Sequence, residues 1–553
     1  MNSYQIYCHP VTKEKYYETE LRGRQIINHS VLNKGLAFSK NEREELGLTG
    51  LLPAEINALD IQLQRILIAY KQKKSAAEKY HFLQSLQDLN ETLFYRFITE
   101  HLQEILPMFD LSAKGVTNQT CYEIDRKARG LFIAYSDRDR IDELIANIDS
   151  SEIKLVIVLD AERVIQSGNI DGLYQAILST ACGGIHPAYI LPVILDMGTD
   201  DKNALNDPCY TGWQHPKIVG KECKEFIDDF VTEILRKHPN AFIQWAGLDN
   251  KCSKGFHGSI QGTATALFSA LITANKVKKE HFKDQTILFH SPGIVDVSVA
   301  EFILKEMVED GLSREDACNR IWMIDNQGSP IEEVRNALGA RISFTKQRGK
   351  ELRDLHDIVK NIHPTIWISR SQNVLEESII KTMSQYVERP VVLLFSRSVM
   401  ELEVEAKHLL HWSQGEAMIV TGFHCPNVEM QGKSYVISLC NQGCITPGVS
   451  LGVIASRAKA VTDTMLQAAA QALSELSPRL ADPHAPLLPH FYHAEKIAKT
   501  VALATAMQAI KEGYAAQQSV ETMRERIDEE FWHPHYLPVH CTHSMNDLKR
   551  KAL

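Results

Sequence analysis

The chain has 553 residues, of which 44% are hydrophobic and 23% are charged, and it carries a formal net charge of −9. This length and composition indicate a globular protein with several domains. The acidic balance argues against binding to nucleic acid.

No stretch of the sequence is typical of a membrane span or a secretion signal. The longest strongly apolar runs, such as residues 155–159 and 391–395, are far shorter than the roughly 20 residues that cross a bilayer. Residues 1–10 lack the apolar core of a signal peptide, and the 11 cysteines are scattered, which fits reduced thiols. We predict a cytoplasmic protein with no membrane partner. Export by a route that needs no cleaved signal stays open.

Residues 1–120 are predicted to form a helical N-terminal region. Residues 31–58 are divided by glycines, and two amphipathic segments follow at 56–70 and 78–98. In the second segment Leu83, Leu86 and Leu93 recur at helical spacing, which predicts a helix packed on its neighbour.

Residues 121–277 are predicted to form a first α/β domain. Apolar runs at 153–159 and 241–245 have the length of buried strands, and the second leads through a loop to a small-residue helix at 267–274. Ligands of α/β sheets usually bind at the carboxyl ends of the strands. The loop after residue 245 is therefore the predicted position of an active site.

Residues 278–460 are predicted to form a second α/β domain, of the Rossmann type. Its strand candidates alternate with helical segments, a pattern that predicts a parallel sheet. The candidates are residues 286–290, 321–325, 365–369, 391–396 and 417–421. Helices predicted at 463–476 and 494–512 make up a C-terminal helical segment, 461–553.

Several motifs shaped by glycine and proline resemble those of one family. They are Asn33-Lys34-Gly35-Leu36-Ala37-Phe38, Ile260-Gln261-Gly262-Thr263-Ala264 and Pro447-Gly448-Val449-Ser450-Leu451-Gly452. From about Asn33 to Pro538 the chain resembles the malic enzymes, NAD(P)-dependent oxidoreductases that oxidise and decarboxylate malate, as a divergent member. The resemblance implies a malic-enzyme-like α/β fold in which 121–277 is the substrate-type domain, 278–460 binds a dinucleotide and the C-terminal segment packs on the substrate-type domain. It also implies a homo-oligomer.

The resemblance places unsuitable residues at the family's catalytic positions. Asp110 stands where the family has a tyrosine general acid, and a carboxyl of reference pKa about 3.9 is ionised at neutral pH unless burial raises that pKa. A loop aspartate without chemistry is the favoured interpretation. Gln175 stands where the family has a lysine general base, and an amide cannot take a proton. No lysine occurs between Lys154 and Lys202, so a shifted alignment would not restore the base.

The resemblance also predicts that no divalent metal is bound. Ala246 and Gly247 stand at a Glu-Asp pair of the family, and Gly258 and Ser259 stand at an Asp-Asp pair. Magnesium and manganese need anionic oxygen ligands, which these four residues do not supply.

Two residues match family positions that contact substrate. Arg163 matches an arginine that grips a substrate carboxylate, although pairing with a nearby protein carboxylate is an equally good interpretation. Asn441 keeps one amide of a family Asn-Asn pair, whereas Arg397 replaces another asparagine. A small anionic ligand is therefore an expected partner.

The turn that should bind the dinucleotide phosphates departs from G-x-G-x-x-G. It reads Ser291-Pro292-Gly293-Ile294-Val295-Asp296. Gly293 is kept, but Pro292 removes a backbone donor and Asp296 brings bulk and negative charge towards the pyrophosphate. Asp325 matches the family's ribose-binding acid, although an aspartate at a strand end is also a common cap. Binding of NAD or NADP is predicted to be weakened.

These replacements predict a malic-enzyme-like pseudoenzyme with a binding, regulatory or interaction role, for which a protein partner is expected. One alternative is an NAD-dependent malic enzyme that converts malate to pyruvate and CO2 with a divergent site. The other is an enzyme of altered, metal-independent chemistry. In that alternative Arg163, Arg397 and a loop lysine, Lys251 or Lys254, hold an anion while Asp110 transfers a proton. Cys252 with His257 is a further pair that stays open.

Overall fold

The computed structural model describes residues 3–10, 12, 14–109, 129–148, 152–162, 170–207, 210–247, 255–325, 329, 331, 333–335, 341–343, 355–370, 377–395, 399–422 and 425–542. The chain divides into two compact units, residues 1–243 with 530–553, and residues 244–529. The limits at 120, 277 and 460 stay a prediction. None of the helices in the described ranges is long and apolar enough to cross a membrane.

The first unit contains a helical region, as the apolar spacing predicts, but residues 4–8 and 15–19 of the predicted helical region form strands. Its helices are α1 (Arg24–Ile27), α2 (Lys40–Glu45), α3 (Leu59–Lys71), α4 (Ala76–Leu89), α5 (Glu91–Glu100), α6 (Leu102–Phe109), α7 (Ile141–Ala146), α8 (Ile170–Ala181), α9 (Lys202–Asn206) and α10 (Gly220–Lys237). The prediction of one continuous segment at 78–98 is wrong, because Asn90 separates α4 from α5. Asn90 adopts an extended backbone, and its side-chain oxygen accepts a hydrogen bond from the Leu93 N–H at 3.0 Å, which caps the new helix.

A three-stranded sheet joins the two ends of the chain within this unit. Strand β1 (Tyr4–Cys8) pairs antiparallel with β2 (Lys15–Thr19), and β2 pairs parallel with β18 (Val539–Cys541). The backbone N–H of Val539 donates to Glu42 at 3.1 Å, and that of Cys541 donates to Glu45 at 2.8 Å. Strand β18 is therefore held by two acidic side chains of α2 as well as by its pairing with β2.

A parallel sheet forms the α/β part of the first unit. Its strands β3 (Leu131–Ala134), β5 (Ile190–Asp196) and β4 (Leu155–Asp160) lie in that order. Strand β6 (Phe242–Ala246), within which the second unit begins, pairs parallel with β7 (Phe256–His257). Every residue of β4 is buried, which explains its uninterrupted apolar sequence. Asp160 and Asp196 end their strands, so both carboxylates lie at the carboxyl edge of this sheet.

A buried histidine connects β2 to the loop after α8. The Nδ1 atom of His186 accepts a hydrogen bond from the Ala188 N–H at 3.1 Å, so Nε2 carries the proton and donates to the Tyr17 hydroxyl at 3.1 Å. Burial, with smaller contributions from Lys15, His535 and Lys154, lowers the pKa of His186 to about 3. The ring is therefore neutral in the folded protein.

We expect the stability of the protein to fall in mild acid because of His186. Its folded pKa lies below the unfolded value of 6.5, so the unfolded chain binds a proton below pH 6.5 that the folded chain does not, and stability decreases down to about pH 3. The loss between pH 7 and pH 5 is about 2 kcal/mol. Urea unfolding of His186→Asn, which keeps an acceptor for Ala188, should show a loss smaller by that amount. His9→Asn is the control, since His9 also accepts a backbone N–H but is exposed; an equal pH dependence in His186→Asn and the unsubstituted protein would contradict the assignment.

The second unit contains a six-stranded parallel sheet, and the five predicted strands are confirmed in it. These are β8 (Ile287–His290), β9 (Ile321–Ile324), β12 (Ile366–Ser369), β13 (Val391–Leu394) and β14 (Met418–Thr421), joined by β17 (Ser438–Leu439). The order is β9-β8-β12-β13-β14-β17. The chain therefore reverses direction across the sheet between β8 and β12, where doubly wound folds bind their ligands. Two hairpins accompany the sheet, β10 (Glu333–Arg335) with β11 (Arg341–Ser343) and β15 (Val428–Met430) with β16 (Lys433–Tyr435).

Helices precede, separate and follow the strands of this sheet along the chain. They are α11 (Thr263–Lys278), α12 (Ile294–Glu309), α13 (Arg314–Cys318), α14 (Leu355–Ile362), α15 (Glu377–Tyr386), α16 (Val399–Trp412), α17 (Thr446–Ser456), α18 (Asp463–Glu475), α19 (Ala494–Lys511) and α20 (Val520–Glu530). Helix α17 packs on α19, and α18 packs on both α11 and α19. The predicted helices at 463–476 and 494–512 are thus confirmed.

Candidate functional site

Several residues singled out by the sequence lie outside the described residues. They are Asp110, Arg163, Lys251, Cys252, Lys254 and Arg397. Their predicted roles stay predictions. His257, suggested as the partner of Cys252, is buried, and its ring stacks on Trp245 with the centroids 6.3 Å apart.

A lysine joins two carboxylates at the carboxyl edge of the first sheet. The Nζ atom of Lys217 lies 3.0 Å from Oδ2 of Asp160, which ends β4, and 2.5 Å from Oε2 of Glu162. The Thr199 hydroxyl donates to the other oxygen of Glu162 at 2.7 Å. Two carboxylates, the type of side chain that binds metal ions, are therefore paired with an ammonium group of the chain itself.

The electrostatics of this group keep Lys217 charged. Burial alone would lower the pKa of Lys217, but the hydrogen bond to Glu162 and the charge of Asp160 outweigh burial and raise it. Burial raises the pKa of Asp160 despite the nearby ammonium, whereas at Glu162 the hydrogen bonds from Lys217 and Thr199 overcome burial and lower the pKa. A lysine held in its protonated form cannot act as a general base.

Gln175 lies in α8, which packs on β4 and β5. Its side chain is buried, and its backbone carbonyl accepts a hydrogen bond from the Ser179 hydroxyl at 2.9 Å. The buried amide can exchange hydrogen bonds but cannot take a proton from a substrate hydroxyl.

The four positions at which the resemblance expects metal carboxylates lie in the second unit, at the carboxyl end of β6 and after β7. Gly247 has a φ of 83°, and its N–H donates to the Ser259 hydroxyl at 3.3 Å. Gly258 is buried and Ala246 ends β6. None of these residues has an anionic side chain. Among the residues that the structure describes, no group of three or more histidine, cysteine, aspartate or glutamate side chains is arranged to hold a metal ion.

The space at Gly258 is filled by neighbouring side chains. A Cβ atom added there would lie 2.8 Å from Nε2 of Gln244 and 3.0 Å from Cγ2 of Thr446. Both neighbours are buried and fixed, because Oε1 of Gln244 accepts from the Ser450 hydroxyl at 2.9 Å and the Thr446 hydroxyl donates to the Gly258 carbonyl at 3.1 Å. The residues present therefore do not fit the family's divalent metal.

An ion pair occupies the switch point of the second sheet. Asp296 lies in the first turn of α12, and its Oδ2 accepts a hydrogen bond from the Gly293 N–H at 2.7 Å. Arg370, which directly follows β12, contacts both oxygens of the same carboxylate, with Nη2 3.0 Å from Oδ1. The Asp296 side chain is 1% exposed and that of Arg370 is 26% exposed. The guanidinium also lies over the Phe395 ring, 4.8 Å from its centroid.

The turn before α12 contains a residue in the left-handed conformation that is not a glycine. Ser291 has a φ of 55°, a left-handed conformation that glycine adopts more readily than serine. Its N–H donates to the Ile324 carbonyl at 2.8 Å, which ties the turn to β9. At Gly293 an added Cβ would meet only ordinary contacts, the nearest at 3.6 Å from Arg370.

The remaining predicted site residues serve local structure. Oδ1 of Asp325 accepts the Ser329 N–H at 2.8 Å, which is the capping role left open by the sequence. Oδ1 of Asn441 likewise accepts the Gly443 N–H at 2.9 Å. The predicted ribose and substrate contacts of these residues stay predictions.

Sequence reasoning missed Lys217 and Arg370. Arg370 could have been found as the charged residue that directly follows a buried strand at the switch point. Lys217 had no such signal, because the loop that brings it to Asp160 has no regular pattern.

Comparison with known proteins gives matches along most of the chain. Residues 87–256 match the family model "Malic enzyme, N-terminal domain" and residues 260–510 match "Malic enzyme, NAD binding domain". Curated relatives include the NAD-dependent malic enzymes of Acinetobacter baylyi, 37% identical, and of Edwardsiella ictaluri, 36% identical. Each alignment covers 93% of this chain and 96% of the relative. The solved malic enzyme of Entamoeba histolytica is similar in fold, with a TM-score of 0.50 and 18% identity over 91% of this chain and 93% of that structure.

Proposed function

Because this chain belongs to the malic enzyme family, we propose that it keeps the family's fold but does not carry out metal-dependent oxidative decarboxylation of malate, and that it acts as a binding or regulatory protein. The observation that carries this proposal is the packing around Gly258. The family has a metal-binding carboxylate at this position. Here the space that its side chain would occupy is taken by the side chains of Gln244 and Thr446.

The chemistry of malate decarboxylation is the reason that the metal position matters for this proposal. A divalent metal binds the hydroxyl and carboxylate of malate together and stabilises the enolate that forms when CO2 leaves. Without an anionic oxygen at Ala246, Gly247, Gly258 or Ser259, the described residues supply nothing to hold such an ion. Gln175 cannot remove the hydroxyl proton, and Lys217 remains protonated beside Asp160 and cannot replace the missing base.

A second candidate function is that of an NAD-dependent malic enzyme with a divergent site. It is favoured by the names of the curated relatives, which match 93% of this chain, and by the match of residues 260–510 to an NAD-binding domain. The relatives thus favour activity and NAD as a cofactor, whereas the residues at the metal and base positions favour the first candidate.

One assay separates the two candidates. The purified protein is incubated with malate and NAD or NADP, with manganese, with magnesium or with EDTA, and reduced cofactor is followed by absorbance. We expect no metal-dependent NADH or NADPH above the protein-free rate, while the Acinetobacter baylyi relative, assayed in parallel, checks the reagents. NADH formation that requires the metal would establish the second candidate, and turnover that persists in EDTA would indicate altered, metal-independent chemistry.

The proposal extends to partners and location. We propose a homo-oligomer that takes a small anionic ligand or a protein partner, in the cytoplasm. Light scattering after size-exclusion chromatography measures the mass, and a monomer at micromolar concentration would contradict the oligomer.

A further inference from the structure

The N-terminus of α12 already holds an anion that belongs to the chain. The carboxylate of Asp296 accepts one backbone N–H, from Gly293, and the guanidinium of Arg370 contacts both of its oxygens. A helix N-terminus carries a partial positive charge, which adds to the attraction. These are the donors that a phosphate group takes in dinucleotide-binding folds.

The location of this anion is the place where a dinucleotide would put its phosphates. The Gly293 turn follows β8 and Arg370 follows β12, and these adjacent strands flank the switch point of the sheet. Asp296 is almost fully buried in its ion pair, so the Gly293 N–H and the Arg370 guanidinium are both engaged by its carboxylate. A second negative charge beside this carboxylate would be repelled. In this conformation the residues present do not fit the dinucleotide that the family implies.

We infer that the contacts of Asp296 with Gly293 and Arg370 form a latch, called here the Asp296 latch, that must open before a dinucleotide phosphate can bind. An open latch frees the Gly293 N–H and turns Arg370 into a cationic ligand for the phosphate. The ligand class is a diphosphate that bridges two nucleosides or ends a single nucleoside. This inference concerns the cofactor side alone, and it goes beyond the proposed loss of decarboxylation.

The test compares the affinity of variants for NAD and ADP by isothermal titration calorimetry, without malate or metal. We expect Asp296→Ala to bind NAD at least tenfold more tightly than the unsubstituted protein, because the competing carboxylate is gone. The control is Asp284→Ala. Asp284 accepts the His281 N–H at 3.1 Å with the same three-residue spacing, but it lies before β8 and away from the switch point. Its NAD affinity should match that of the unsubstituted protein.

A double variant checks the role of Arg370. Asp296→Ala combined with Arg370→Gln should lose the gain, because no cation then faces the phosphate. Equal affinity of Asp296→Ala and the unsubstituted protein, or a gain that survives in the double variant, would overturn the inference. If Asp296→Ala does not fold, Asp296→Asn retains the size and an acceptor for Gly293, and a gain of at least threefold is then expected. Its absence would equally overturn the inference.

Because these titrations contain neither malate nor metal, their outcome is separate from that of the activity assay. Tight NAD binding by the unsubstituted protein would end the latch inference and leave the proposed function standing. Pyrophosphate is titrated as a third ligand. If Asp296→Ala binds both pyrophosphate and NAD more tightly than the unsubstituted protein does, the gain in affinity comes from contacts with the phosphates and not with the bases.

Discussion

Restoring the missing carboxylate by Gly258→Asp is expected to destabilise the second unit by about 3 kcal/mol and not to restore metal binding. The added Cβ would stand 2.8 Å from the Gln244 amide and 3.0 Å from Thr446, so either the side chains or the backbone must move. The substitution also buries a carboxylate where the neighbours are neutral. The steric overlap and the buried carboxylate both lower the stability of the folded protein.

The midpoint of thermal unfolding, Tm, tests this expectation. A loss of about 3 kcal/mol corresponds to a fall in Tm of roughly 5 °C for a unit of this size. Millimolar manganese should leave the Tm of Gly258→Asp unchanged, because no second carboxylate joins the first. Ser259→Asp is the matched control: Ser259 is only half-buried and already accepts a hydrogen bond from Gly247, so the loss should stay below about 1 kcal/mol. A Gly258→Asp protein of unchanged stability that manganese stabilises further would mean that the metal site is one substitution away.

The sequence predicts the architecture of the second unit well because its strands are continuous apolar runs. All four residues of β8, β12, β13 and β14 are buried, so each strand is visible as a short hydrophobic block between polar turns. A hydrophobic run depends only on neighbouring residues, so a single sequence is enough to recognise it.

Features that depend on distant residues are not visible in this way. The pairing of β2 with β18 joins residues near opposite ends of the chain, and nothing in either segment indicates the other. The break at Asn90 was missed for a different reason: the apolar spacing continues through it, and only the cap formed with Leu93 reveals that a second helix begins.

The candidate site shows the same division. The resemblance assigns Gln175 to the base position and Gly258 to a metal position, and their residue types then predict that this chemistry is lacking, since an amide is not a base and glycine is not a ligand. The sequence does not predict that Gln244 fills the space beside Gly258, or that Arg370 pairs with Asp296. These contacts link segments from separate strands and helices, so no single stretch of sequence indicates them.

The close packing of α17 on α19 leads to the other large expected effect, a loss of about 3 to 4 kcal/mol in Gly452→Ala. A Cβ at Gly452 would lie 2.5 Å from the carbonyl oxygen of Ala502 and 3.0 Å from its Cα. Both are backbone atoms, so no rotamer change relieves the overlap and the two helices must separate. Alanine is the better helix former by about 1 kcal/mol. A loss of stability therefore cannot come from helix propensity and must come from packing.

Thermal unfolding followed by circular dichroism tests this expectation, with Ile454→Ala on the same helix as the control. Ile454 is half-buried, so its truncation should cost only about 1 kcal/mol. Gly452→Ala should unfold about 5 °C or more below the unsubstituted protein, and Ile454→Ala within about 3 °C of it. A Tm that rises in Gly452→Ala would mean that α17 and α19 separate at no cost, and the motif Pro447-Gly448-Val449-Ser450-Leu451-Gly452 would then owe its glycines to something other than this helix contact.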